Sequence, residues 1–210
     1  NICTVISHLS SADEPRNKYN DLQKRRFLNI ISKFKKKNIK YSLANSNGSL
    51  LSEKFLFNMI RPGIGLYGGN NGNKLLNKKI KPVISLCAKI IQIKEINKNE
   101  YIGYNQTYKT KKKIKVAIIG IGYADGVPRS LSNIGYVYYK KNNFKIIGRI
   151  SMDSLTIDIT NSKYNLKVGT FVDIINHKHG IEEFASQCDT ISNEVITSIG
   201  NRVKRIYVNK

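Results

Sequence analysis

Residues 2–9 form a nearly continuous apolar run rich in β-branched side chains, which predicts a buried strand. Ser10, Ser11, Asp13, Glu14 and Pro15 break it. Over residues 20–36 the apolar positions Leu22, Phe27, Ile30, Ile31 and Phe34 recur near the 3.6-residue period, which predicts an amphipathic helix. Its lysines, Lys33, Lys35, Lys36 and Lys37, gather at the C-terminal end, where the helix dipole favours cations. Residues 39–44 predict a second strand and 45–48 a turn. A second helix follows over 49–57, then a third strand over 59–67, interrupted by Pro62 and Gly63. This βαβαβ order implies parallel strands joined by right-handed crossovers.

Residues 68–79 are polar, glycine-rich and charged, as a boundary between domains is. The chain therefore reads as a first domain over residues 1–72 and a second over 73–210. In the second the helical period largely stops. β-rich runs recur at 83–96, 114–121, 134–139, 144–150, 155–159 and 170–175, separated by Gly, Asn and Lys clusters. They predict a small β-barrel or sandwich. Short helical segments at 181–188 and 190–194 and a closing strand at 206–208 complete the reading. Three strands with two crossovers make a poor sheet alone, because both outer edges stay unpaired. The first residue is Asn rather than Met. Both points suggest the back part of something longer.

Composition narrows the function classes. The 210 residues suffice for a hydrophobic core. The three cysteines, Cys3, Cys87 and Cys188, lie far apart with no C-x-x-C spacing, so neither a disulfide scaffold nor a metal site is expected. No apolar stretch is long enough to span a membrane, and the expected compartment is the cytoplasm. The net charge of +22 raises the question of nucleic acid. However, 28 Lys, 24 Asn and 31 Ile make up 83 of the residues, against 8 Arg. Scattered Lys and Asn are what drift toward AT-rich codons leaves, whereas phosphate and base recognition leans on the arginine fork. No nucleic-acid partner is expected.

Three segments carry candidate chemistry. R-P-G-I-G-L-Y-G (61–68) can bring backbone N–H groups close to a ligand, and it also suits a tight turn with a surface arginine. G-I-G-Y-A-D-G-V-P-R (120–129) sets Tyr123 between glycines as a possible acid or base, or as a packed aromatic. G-R-I-S-M-D (148–153) ends on Asp153, either an orienting carboxylate or a turn residue. Ser46 opens a predicted helix, where a serine caps or binds phosphate.

Five motifs follow one another along nearly the whole chain: S-H-L-S-S-A-D-E, L-A-N-S, R-P-G-I-G-L-Y-G, I-G-Y-A-D-G-V-P-R and G-R-I-S-M-D. In order and approximate spacing they resemble the alanine racemase family. Its members are pyridoxal 5'-phosphate enzymes that interconvert L- and D-alanine and supply D-alanine for peptidoglycan. The resemblance implies an α/β plus all-β chain. The last part of a (β/α)8 barrel would be followed by a mainly β, barrel-like C-terminal domain. It implies that the chain is the C-terminal portion of such an enzyme and lacks the N-terminal part with the Schiff-base lysine. The implied partners are a small-molecule substrate, L- or D-alanine, and either a second copy in a homodimer or the missing N-terminal segment.

The resemblance also assigns residues. Tyr123 matches one of two catalytic acid/bases that work on opposite faces of the substrate while the cofactor delocalises charge. Arg61 matches the arginine facing the pyridine nitrogen, where its charge opposes protonation of that nitrogen. Ser46, Gly63 and Ile64 match groups around the cofactor phosphate, the last two through backbone N–H. His8 matches a histidine bonded to the arginine. Met152 matches a residue whose backbone holds the substrate carboxylate, and Asp153 an active-site aspartate. Arg149 and Ile199 match the corridor through which substrate enters. Asn201 stands where many members have a tyrosine that reaches the phosphate, so other donors are expected to serve. The motifs near Met152 and Ile199 do not separate alanine from another small amino acid such as serine. A non-catalytic remnant or a split subunit of the family also stays open, although retention of Tyr123 argues against the remnant.

Overall fold

A computed structural model describes residues 2–34, 38–69 and 80–208. The chain falls into two compact units, Asn1–Val83 and Ile84–Lys210.

In the first unit, β1 (Thr4–Ile6) pairs in parallel with β2 (Lys40–Ser42), with Thr4 opposite Lys40 and Ile6 opposite Ser42. The crossover between them is α1 (Tyr19–Ile31). α1 buries Phe27 against Leu9, Leu43 and Phe55, and Phe27 meets the Phe57 ring edge-on at 5.1 Å. The predicted stripe is only partly used, since Ile30 stays 48% exposed. α1 also ends at Ile31, so its last turn carries no cation. Lys35, Lys36 and Lys37 lie outside the described residues.

A shorter α2 (Ser46–Leu51) replaces the helix expected over 49–57, and a 3-10 turn at Glu53–Phe55 follows it. The third strand expected over 59–67 does not form. Pro62 has no N–H to give to a ladder, and Ile64–Tyr67 closes instead into a 3-10 turn. That turn ends on Gly68 at φ 85°, where a Cβ would come within 2.6 Å of Lys81 O. The described part of the unit therefore has one βαβ crossover and two parallel strands. The expected end of a (β/α)8 barrel is corrected accordingly.

The second unit is antiparallel. Its six-stranded sheet runs in the order β8-β7-β10-β3-β6-β9. The strands are β3 (Leu86–Ile96), β6 (Ile114–Ile119), β7 (Tyr136–Tyr139), β8 (Asn142–Lys145), β9 (Leu155–Asp158) and β10 (Phe171–Ile175). A separate two-stranded hairpin pairs β4 (Tyr101–Ile102) with β5 (Tyr108–Lys109). β3 alternates Leu86, Ala88 and Ile90 inward. A bulge then leaves Ile91 unpaired between Ile90 and Gln92 and resets the phase. Ile119, Ile157, Ile146 and Ile150 fill the core, closed over by α3 (Ile181–Gln187) and α4 (Ser192–Ser198).

The barrel-like C-terminal domain is also corrected. β8 and β9 are the sheet's edges, and an isolated bridge between Ile146 and Ile157 is not the continuous ladder that a closed barrel requires. The closing strand expected at 206–208 is irregular chain. Among the described residues, no helix is long and apolar enough to cross a membrane, and no cluster of three or more His, Cys, Asp or Glu could hold a metal.

Candidate functional site

Because β1 and β2 run parallel, their C-terminal ends open on the same edge, where such folds place ligands. His8 follows β1, and Asn45 and Ser46 follow β2. Arg61 is tied in by its N–H, which donates to Ala44 O at 3.1 Å. A guanidinium has five N–H groups. On Arg61 the Nη1 atom donates to Ser42 O at 3.1 Å and Ser42 Oγ at 2.6 Å. Nη2 donates to Ser7 O at 2.6 Å and faces His8 Nδ1 at 3.3 Å. Arginine only donates, so Nδ1 is the accepting nitrogen. Among the described residues the fifth group, Nε–H, has no acceptor. Asn45 completes the cluster. Its Oδ1 caps α2 by accepting from Gly48 N–H at 2.9 Å, and its Nδ2 lies 3.0 Å from His8 Nε2.

Ser46 is buried, and its Oγ accepts from Gly63 N–H at 2.8 Å and from Gly65 N–H at 3.1 Å. With two donors on its oxygen, the hydroxyl hydrogen is left to donate outward. Ile64 opens its 3-10 turn, so its N–H has no partner inside that turn. A Cβ at Gly63 would meet nothing within 4 Å, so the backbone there is open to an approaching group. Ser46, Gly63 and Ile64 are thus brought together as a set of donors. Within it Gly63 N–H supports Ser46 rather than facing outward.

In the second unit the ladder that ends with Ile119 opposite Leu155 delivers two loops side by side. Tyr123 N–H donates to Ser151 O at 3.1 Å, and Ala124 N–H to Met152 O at 3.0 Å. The Tyr123–Asp125 turn is closed by Gly122 N–H on Asp125 Oδ2 at 3.0 Å, and by Gly126 in the left-handed region at φ 99°. Its backbone is held while the Tyr123 side chain stands 45% exposed. Gly122 is required for this approach, because a Cβ there would come within 2.3 Å of both Ser151 O and Met152 O. Gly122→Ala is expected to push the loops apart and to cost about 3 kcal/mol. A lowered denaturant midpoint of the chain checks this, and an unchanged midpoint contradicts it.

Arg202 ties the same loops through side chains. Its Nη2 donates to Asp153 Oδ1 at 2.5 Å, and its Nε lies 3.4 Å from Asp125 Oδ1. The bound Asp153 carboxylate, with Asp125 beside it, holds the guanidinium above its ordinary pKa. Sequence reading singled out Asp153 and missed Arg202, because nothing in spacing links two positions 49 residues apart. Met152 is exposed, its carbonyl is used by Ala124, and among the described residues its N–H has no acceptor. Ile199 caps α4 and packs its backbone onto Gly126. Arg149 carries a buried Nε with no partner among the described residues. Asn201 is exposed, and among the described residues its side chain makes no hydrogen bond.

Each unit thus presents a hydrogen-bonded loop with a backbone N–H that has no acceptor among the described residues, beside a polar side chain. Comparison with known proteins gives the family. The family described as alanine racemase, C-terminal domain, matches residues 83–207, and that described as alanine racemase, N-terminal domain, matches residues 1–71. Alanine racemase of Brucella abortus is 38% identical over 217 residues, covering 97% of this chain and 54% of that protein. Alanine racemase of Rickettsia bellii is 41% identical over 209 residues, covering 99% and 50%. The crystal structure of alanine racemase from Bartonella henselae with covalently bound pyridoxal phosphate superposes with a TM-score of 0.92 at 35% identity, covering 99% of this chain and 57% of that one.

The chain belongs to the alanine racemase family of isomerases, and it spans about half the length of the curated relatives it matches. The expectation of a C-terminal portion lacking the N-terminal part with the Schiff-base lysine is corrected. Residues 1–71 match the family's N-terminal domain, so both domains are represented. That match does not support the expected pairing with a missing N-terminal segment.

Proposed function

We propose that the protein carrying this chain binds pyridoxal 5'-phosphate and interconverts L- and D-alanine, with Tyr123 as one of two acid/bases. The observation that carries this reading is a phenol standing exposed on a backbone fixed to the neighbouring loop, in a chain of this family.

The donors of the first unit fit the cofactor. The outward hydroxyl of Ser46 and the N–H of Ile64 suit its phosphate, and Gly63 holds Ser46 in place. The uncommitted Nε–H of Arg61 suits the lone pair of a pyridine nitrogen, and the fixed positive charge opposes protonation there. His8 keeps the guanidinium oriented. The chemistry supplied by bound pyridoxal phosphate is an electron sink for the charge left at the substrate Cα.

The remaining steps belong to protein groups. Tyr123 Oη moves a proton to or from Cα on one face, and a second base serves the opposite face. The free N–H of Met152 takes the substrate carboxylate, while Arg202 neutralises Asp153 beside it. Arg149 and Ile199 line the approach, and Asn201 makes no phosphate contact. A cytoplasmic homodimer that supplies D-alanine for peptidoglycan goes with this reading.

The test is D-alanine formation from L-alanine, followed by chiral chromatography with and without added cofactor. Cofactor-dependent inversion supports the reading, and its absence in soluble protein rejects it. Arg202→Ala is expected to lower kcat about tenfold by loosening the Tyr123 and Met152 loops, with Arg202→Lys in between. Identical kcat values for all three proteins would remove Arg202 from the account.

A further inference from the structure

Within the second unit, apart from the Tyr123 and Met152 loops, the β7–β8 turn and the loop between β10 and α3 border two adjoining open hollows of ≈ 390 and ≈ 290 Å³. Lys140, Lys141, Lys178 and His179 line both. None of the three lysines forms an ion pair with a carboxylate among the described residues. The carboxylate that shares the larger hollow, Asp173, accepts from Asn176 Nδ2 at 3.2 Å. The local charge is therefore positive, and among the described residues no carboxylate neutralises its three lysines.

The hollow is built rather than incidental. Its floor is the His179 ring stacked on Tyr138 at 3.7 Å and 6°, with both groups hydrogen-bonded to Glu183. The 176–179 loop is folded on itself. Asn176 Oδ1 accepts from the N–H groups of Lys178 and His179, both at 2.9 Å, and Asn176 N–H donates to His179 O at 2.9 Å. On the other wall Lys140 Nζ sits over the Tyr164 ring at 5.1 Å and the Tyr139 ring at 5.5 Å, and those two rings meet edge to face.

Lys140 itself is the telling position. Among the described residues, seven non-glycine residues have positive φ, and six of them are Asn, Gln or Asp. Short amide and acid side chains tolerate that region by bonding locally, which lysine does not. Lys140, at φ 55°, holds a cation where the turn would favour Asn or Gly. Strain kept at one residue of a charged hollow points to use of that residue.

We propose that this paired hollow binds an anion carrying two or more linked phosphate groups, free or as the tail of a nucleotide. Lys140, Lys141 and Lys178 would supply the charge and Tyr164 a flanking ring. The proposal is independent of the racemase reading.

The test is calorimetric titration of the full chain with tripolyphosphate at about 0.15 M salt. The comparison is with a K140N/K141N/K178N variant and with K111N/K112N/K113N, which removes the same charge elsewhere. Asn suits the positive φ at residue 140, so the first variant is expected to melt no lower than wild type, and a loss of binding is then not unfolding. The expected result is saturable binding that weakens about tenfold or more in the hollow variant and stays within about twofold in the control. ATP binding as tightly as tripolyphosphate assigns recognition to the phosphate chain, and tighter binding adds the nucleoside; both support the proposal. No saturable binding, or equal weakening in both variants, overturns it.

Discussion

Tyr123→Phe is expected to lower alanine racemisation by about 10²- to 10⁴-fold, the range for removing one positioned acid/base, with little change in KM. The phenol oxygen is the atom assigned to proton transfer, and the substitution leaves the ring and everything that positions it. None of the bonds that hold the loop uses the phenol: Tyr123 N–H donates to Ser151 O, Ala124 N–H to Met152 O and Gly122 N–H to Asp125 Oδ2, and Arg202 bridges Asp125 and Asp153. The variant should therefore melt with wild type while losing turnover. Loss of both together would mean that the hydroxyl supports the fold, and retained turnover would place the acid/base elsewhere.

The second large effect is expected at Arg61. Replacing it with Ala strips donors from Ser42 O, Ser42 Oγ, Ser7 O and His8 Nδ1 together. Those groups sit at the end of β2 and just beyond β1, whose pairing is only three residues long. Hydrogen bonds to a charged group contribute roughly 1.5–3 kcal/mol each, and solvent replaces some of them at this half-buried site. A net loss of about 2–4 kcal/mol is expected. Hydrogen exchange should show it locally, as faster exchange of Ser7 N–H and Lys40 N–H, which now donate to Ser42 O and Cys3 O at 2.9 and 3.0 Å. Arg61→Lys keeps a charge but not the fork, so it should recover little of the protection and little of the affinity for pyridoxal phosphate. Unchanged exchange and unchanged cofactor affinity in Arg61→Ala would contradict both roles.

The two units were not equally legible in the sequence. Strands β3, β6, β9 and β10 are runs rich in β-branched residues whose buried side chains enter the two apolar clusters of the second unit, so local pattern and tertiary packing agree. β4 and β5 are two residues long, too short to show any period. In the first unit the pattern overstated the strands. Pro62 withholds a donor, and the N–H groups of Gly63 and Gly65 are taken by Ser46, 17 and 19 residues earlier, which no local period reports. The (β/α)8 expectation came from resemblance, whereas a small β-barrel was one of two architectures the strand pattern allowed. The two-stranded parallel pair and the open edges at β8 and β9 replaced them.

The same distinction separates the site residues. Tyr123, Arg61 and Ser46 lie in local glycine-flanked motifs and were visible there. Arg202, which bridges Asp125 and Asp153, and Ser7 and Ser42, which hold Arg61, act across the fold. Their role is visible only in three dimensions.

The most direct measurement is alanine turnover in deuterated water with pyridoxal phosphate, comparing wild type with Tyr123→Phe. Two bases on opposite faces predict that wild type forms inverted alanine carrying deuterium at Cα. The variant should exchange the α-proton of one enantiomer only, with retention, through the base it keeps. Exchange and inversion that fall equally for both enantiomers, or that do not fall at all, would contradict Tyr123 as one of two acid/bases.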